Sequence, residues 1–133
     1  MPFEGPIEDR LAIRELIEDY ADAVFQRDEK RWAANWTDEA CWNLAGMEVK
    51  GKTNIVGMWK QAMTGFSFVA FFAAPGAIEV DNNKARARVY TTEDLVEMNG
   101  KRRHVIGQYE DELTKQSGRW LFARRTYRIL QDS

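Results

Sequence analysis

The hydrophobic period of this chain changes once, near Gly65, and that switch limits the fold more than any other feature. Before it, between Glu8 and Phe25, the apolar residues Ile13, Leu16, Ile17, Tyr20, Ala21 and Val24 recur at helical spacing, with Arg10, Arg14, Glu15, Glu18 and Asp22 on the remaining surface. Asp28 is placed to cap a second, short helix running through Trp32 and Trp36. Thr53 is placed to cap a third, in which Ile55, Met58, Trp59, Ala62 and Met63 repeat, and Gly65 ends it. After the switch the period is two: Ala85, Ala87, Val89 and Thr91 alternate with Arg86, Arg88, Tyr90 and Thr92. Asn82-Asn83, Asn99-Gly100 and Ser117-Gly118 are turn signals between apolar runs, so a meander of about four long strands is expected. Helices first and a mostly antiparallel sheet after them make an α+β fold, and a sheet curled around the first helix would enclose a cavity.

No Pro-rich linker, repeat or low-complexity tract divides residues 1–133, so a single domain is expected. Nineteen Lys and Arg against 21 Asp and Glu give a formal net charge of −2, which supplies no attraction for nucleic acid or an anionic membrane. The longest apolar run, Phe66 to Ala74, is about half of a bilayer span, and a soluble protein is expected. One cysteine, Cys41, and one histidine, His104, provide neither an intrachain disulfide nor a zinc site of the usual kind. No metal is expected, and a reducing, cytoplasmic location fits the cysteine count.

Strand parity sorts the polar residues of the second half. If Ala85, Ala87 and Val89 face inward, Thr91 and Glu93 follow; Tyr109, Asp111 and Leu113 share a face, as do Leu121, Ala123, Arg125 and Tyr127. Glu93, Asp111 and Arg125 are thereby gathered as interior charges. A carboxyl in an apolar pocket has its pKa raised, which suits a general acid or base, while Asp111 and Arg125 also suit a mutually neutralising structural pair. The opposite face would carry Arg86, Arg88 and Tyr90 with Trp120, Phe122 and Arg124, a composition suited to a subunit interface. His104 falls on that outer face as well, and Cys41 has no evident base beside it.

The order Ala12-Ile13-Arg14-Glu15-Leu16, Tyr20-Ala21-Asp22-Ala23, Arg27-Asp28, Trp36-Thr37-Asp38-Glu39-Ala40, Gly51-Lys52, Ile78-Glu79-Val80-Asp81 and Gly107 to Leu113 with Gly118-Arg119-Trp120 resembles the SnoaL-like branch of the NTF2-like superfamily. The resemblance implies a cone-shaped α+β barrel, assembled as a homodimer or homotrimer through the outer sheet face. Members include polyketide cyclases, ketosteroid isomerase, scytalone dehydratase and hexachlorocyclohexane dehydrochlorinase, so fold alone does not fix chemistry. In the dehydratase and dehydrochlorinase an Asp near the end of the first helix pairs with a His just before the strand that here reads Ile78 to Asp81. Here the Asp position reads Phe25, and the His position falls among Phe71, Phe72 and Ala73. Ketosteroid isomerase is similar in fold: its tyrosine matches Tyr20, its protonated Asp falls near Tyr109 and its base near Leu44.

On this resemblance Tyr20 lies along the cavity, where a phenol can donate to a developing oxyanion. Trp42 matches a pocket tryptophan of the dehydrochlorinase and Arg125 an arginine of its active site, suited to bind a carboxylate or carbonyl. The expected function is a cofactor-independent lyase or isomerase acting on a small cyclic ketone or hydroxy compound. Tyr20, Glu93 and Asp111 would be its catalytic groups, with Trp42, Arg125, Tyr109, Phe25 and Phe72 around the substrate. The alternative is a non-catalytic ligand-binding or accessory module of the same fold, which the exchange of a polar dyad for phenylalanines favours.

Overall fold

The computed structural model describes residues 2–133. A two-residue strand, β1 (Phe3–Glu4), precedes helix α1 (Ile7–Gln26), whose stripe buries Ile13, Leu16, Ile17, Tyr20 and Val24. Arg27 adopts the left-handed conformation (φ 52°) and ends the helix. Asp28 then caps α2 (Glu29–Ala33), its Oδ1 accepting from the Arg31 amide at 3.1 Å. This second helix is shorter than its sequence suggests. Trp36 opens strand β2 (Trp36–Leu44) instead, because it pairs with Phe122 of the last strand and is fully buried there.

A tight turn leads to β3 (Met47–Lys50), antiparallel to β2, and then to α3 (Lys52–Met63). Gly51, at φ 87°, occupies the cap position of α3 without a side-chain bond, and Thr53 lies inside the first turn, so the expected threonine cap is absent. Four long strands follow as the sequence indicates: β4 (Phe66–Asp81), β5 (Lys84–Glu97), β6 (Arg102–Gln116) and β7 (Arg119–Asp132). The turns between them use positive φ at Asn82, Gly100, Ser117 and Gly118. The seven strands form one sheet in the order β1-β4-β5-β6-β7-β2-β3. Its edge strands β1 and β3 do not pair, so the sheet curves round α1 without closing.

One irregularity reshapes the interior. The β6–β7 register slips between Glu112↔Arg124 and Leu113↔Phe122, leaving Ala123 as an extra residue on β7. The bulge reverses the alternation of β7, so that Trp120 and Phe122 on one side of it and Arg125 on the other all turn inward. Trp120 and Phe122 therefore belong to the core, not to the outer face, and Leu121 and Ala123 are not the cavity-facing residues that strict alternation predicts. What remains outside on the long strands includes arginines and glutamates facing across strands, such as Arg86 with Glu79 at 2.9 Å. No helix among the described residues is long and apolar enough to cross a membrane.

Candidate functional site

The core of the molecule is aromatic. Trp32 stacks on Trp59 with ring centroids 4.6 Å apart, which fastens α2 to α3, and Trp32 also leans on Trp36, Trp42 and Tyr20. The outer end of α3 is held by Arg27, whose guanidinium donates to the carbonyls of Met63 (3.0 Å) and Phe66 (2.7 Å). Between this cluster and the concave sheet face lies a cavity of about 200 Å³. Tyr20, Trp42, Phe71 and Tyr109, all nearly inaccessible to solvent, form its floor. Leu44, Ala62, Met63 and Phe66 also line it and keep solvent exposure, which marks its mouth. The walls are mostly apolar, with Val24, Trp59 and Leu95 completing them.

Two polar groupings face this space. On one side the Trp42 indole N–H donates to the Tyr109 hydroxyl at 3.4 Å, and the Tyr20 and Tyr109 hydroxyls are near enough to influence each other's ionisation. Burial pushes both phenols up, Tyr109 well above its ordinary value, so both remain protonated donors. On the other side the Tyr127 hydroxyl donates to Glu93 Oε2 at 2.8 Å. Burial pushes the Glu93 carboxyl up while the Tyr127 bond pulls it back, and the net direction is upward. A carboxyl shifted upward in this way holds its proton more tightly than an exposed one, which suits a group that gives and takes protons.

The Tyr127–Glu93 contact depends on a glycine. The Tyr127 ring crosses the neighbouring strand at Gly107, where a Cβ would lie 2.5 Å from the ring's Cζ and nearer still to its Cε1 and hydroxyl. Only a residue without a side chain leaves room for the ring at this position. Tyr127 was legible as an inward residue from parity with Arg125. Its role needed the mid-strand Gly107 to be read as a sign of close approach.

Beneath the floor, Arg125 and Asp111 form a bidentate ion pair, Nε to Oδ1 at 2.8 Å and Nη2 to Oδ2 at 3.0 Å, with side chains 1% and 0% exposed. The guanidinium carbon lies 3.7 Å from the Tyr109 ring centroid, 4.1 Å from that of Phe122 and 4.6 Å from that of Tyr20. Burial would loosen the Arg125 proton, but the Asp111 charge, the Tyr20 and Tyr109 phenols and the hydrogen bond to Asp111 together outweigh it and hold the proton more tightly. Neither residue lines the cavity. Asp111 is held as the buried partner of Arg125, with burial pushing its carboxyl above its ordinary value, and Arg125 meets the cavity through the two phenols on which it lies.

Of the residues singled out from the sequence, Tyr20, Trp42, Glu93 and Tyr109 meet at one cavity. Phe25 and Phe72 do not line it: their rings pack on each other, centroids 5.1 Å apart, and Phe72 is 60% exposed. The alternation of β4 points Phe71 inward and Phe72 outward, so Phe71 takes the lining position. His104 stands on the surface, its Nδ1 2.7 Å from Asp94, and among the described residues no histidine lines the cavity. Cys41 donates to Glu48 at 3.1 Å and is likewise outside it. No group of three or more metal-ligating side chains occurs among the described residues.

The model of the SnoaL-like domain matches residues 6–126. The chain belongs to the SnoaL-like domain family. Comparison of the sequence with curated proteins gives no match. Among solved structures, this SnoaL-like domain is similar to a hexachlorocyclohexane dehydrochlorinase, LinA type 2, with a TM-score of 0.88 and 19% identity over 96% of this chain and 88% of the other. A protein of Novosphingobium aromaticivorans provisionally named a scytalone dehydratase matches with a TM-score of 0.88 and 18% identity, covering 96% and 87% of the two chains. A second protein of that organism, provisionally named an aromatic ring hydroxylase, reaches 0.90 at 26% identity over 98% and 95%. The neighbours share the NTF2-like fold and include a dehydrochlorinase.

Proposed function

We propose that this domain is a cofactor-independent lyase or isomerase acting on a small, single-ring ketone or hydroxy compound. The observation that carries this reading is the meeting of two groups in one apolar cavity: the Glu93 carboxyl with its raised pKa, and the paired phenols of Tyr20 and Tyr109. The phenols would donate to the substrate oxygen and stabilise the charge that develops there, with the Arg125 guanidinium behind their rings favouring that charge. Glu93 would take or return the proton on the neighbouring carbon, a step that asks for no cofactor. A cavity of about 150 Å³ lined by aliphatic and aromatic side chains accepts a benzene ring, so the volume of about 200 Å³ here suits one substituted ring.

The test is proton exchange. Cyclohexanone in deuterated buffer should lose its α-protons faster with the protein present, and Glu93→Gln should reduce that rate by about 100-fold or more. Exchange unaffected by Glu93→Gln overturns the assignment. The second reading, a ligand-binding module without catalysis, is favoured by the apolar Phe25–Phe72 pair, which takes the region where the resemblance would put an acid-base dyad. Its signature is binding of the ketone with no exchange above buffer.

A further inference from the structure

The charges around the cavity point to a rule of selection that rests on the proposed function but goes beyond it. The one cation next to the floor, Arg125, is committed: two of its nitrogens are bound to Asp111, and rings of Tyr20, Tyr109 and Phe122 cover its plane. It is 1% exposed and does not line the cavity. Arg27, the next arginine near α3, has its guanidinium turned to the carbonyls of Met63 and Phe66, and Arg103, whose charge is felt by Glu93, is paired with Asp132 at 2.6 Å. The lining itself contains no lysine or arginine among the described residues, and its one ionisable acid is Glu93. A ligand anion entering this space would lose its hydration and meet phenol donors and a carboxyl, with no unpaired cation in reach. Asp111 already supplies the counter-charge that would otherwise make Arg125 an anion receptor.

We infer that the cavity selects uncharged ring compounds bearing a carbonyl or hydroxyl oxygen and rejects their carboxylate counterparts. Of the two ligands that the resemblance implies for Arg125, a carboxylate or a carbonyl, this leaves the carbonyl, reached through the phenols. The sealed ion pair acts on the ligand as a fixed dipole behind two phenols, strengthening them as donors to a neutral oxygen without offering a site for a full negative charge.

Two probes that share a ring and differ in charge test the inference: cyclohexanone and cyclohexanecarboxylate, with dissociation constants measured on the wild-type chain by ligand-observed NMR. At neutral pH the carboxylate should bind at least about 100-fold more weakly than the ketone, because its charge is desolvated without a partner. Lowering the pH to about 4, where such an acid becomes substantially protonated, should narrow that gap. Equal or tighter binding of the carboxylate at neutral pH overturns the inference and leaves the cavity reading standing. Binding of neither probe at either pH overturns the cavity reading and this inference with it.

Discussion

Gly107→Ala should be destabilising for a reason that has nothing to do with backbone conformation. Gly107 is not among the positive-φ glycines, so alanine is acceptable to the main chain, and in an open strand site the change would stabilise by about 0.5–1 kcal/mol. Here the added Cβ falls 2.5 Å from Tyr127 Cζ, and carbon atoms rest at about 3.5–4.0 Å, so the ring must retreat by about 1 Å or more. A retreat of that size stretches the 2.8 Å bond to Glu93 beyond hydrogen-bonding distance. Overpacking costs about 1–3 kcal/mol and the lost bond about 1 kcal/mol more, for a total of about 2–4 kcal/mol. Urea denaturation gives the stability, and the carboxyl 13C shift of Glu93 followed with pH gives its titration. Because the Tyr127 bond lowers the Glu93 pKa, its loss should move that titration upward. Tyr127→Phe, which keeps the ring and removes the hydroxyl, should move the titration the same way with a stability loss of only about 1 kcal/mol. In a Tyr127→Ala background the alanine at 107 should turn neutral or stabilising. A Gly107→Ala protein as stable as the parent, with Glu93 titrating unchanged, would refute the placement of Tyr127 over the glycine.

Three further outcomes follow from the same geometry. Asp111→Ala should cost about 3–5 kcal/mol because it strands the Arg125 charge, whereas Asp111→Leu with Arg125→Met should recover most of the loss; chemical denaturation of the two variants checks this. Glu93 has a folded pKa above its ordinary value of 4.5, so the folded state binds more protons than the unfolded one, and stability should fall as pH rises from 4.5 through the raised pKa. Glu93→Gln should remove that decline, measured as urea midpoints between about pH 4 and about pH 8. We also propose self-association through the outer sheet face; with Trp120 and Phe122 inside, it would rest on Arg86, Arg88, Tyr90 and Arg124 meeting outward carboxylates such as Glu110 and Glu112 of another copy. Sedimentation should therefore show a dimer or trimer at low salt that weakens as salt is raised.

The helices, the three hairpin turns and the meander were legible because each has a local physical cause. A 3.6-residue stripe needs one buried face, and Asn-Gly or Ser-Gly tolerates the left-handed turn. The place where β7 changes sides was not legible. The bulge at Ala123 has no residue signature of its own: it arises because Phe122 must pair with Leu113 while Arg125 pairs with Asp111, one residue more on β7 than on β6. Alternation therefore identified Arg125 correctly as interior and misplaced Trp120 and Phe122 on the same strand. The start of α3 failed for the opposite reason, since Thr53 is a good capping residue and Gly51 occupies the cap position instead.

The site divides along the same line. Tyr20 and Glu93 follow from one helix or one strand and its period. The division of labour between Glu93 and Asp111 does not, because both are inward carboxyls on adjacent strands of equal pattern. What separates them is the neighbour each meets across the sheet. Asp111 stands opposite Arg125 on β7 and is paired with it, whereas Glu93 stands opposite Val105 and Phe71 in the ladder and takes its hydrogen bond from the Tyr127 hydroxyl, with the Arg103 charge acting without a direct contact. Burial pushes both carboxyls up, but Asp111 is closed in a bidentate pair away from the cavity, whereas Glu93 lines it. That contrast, set by register and not by residue type, is why the cavity has one candidate proton carrier where the sequence offered two.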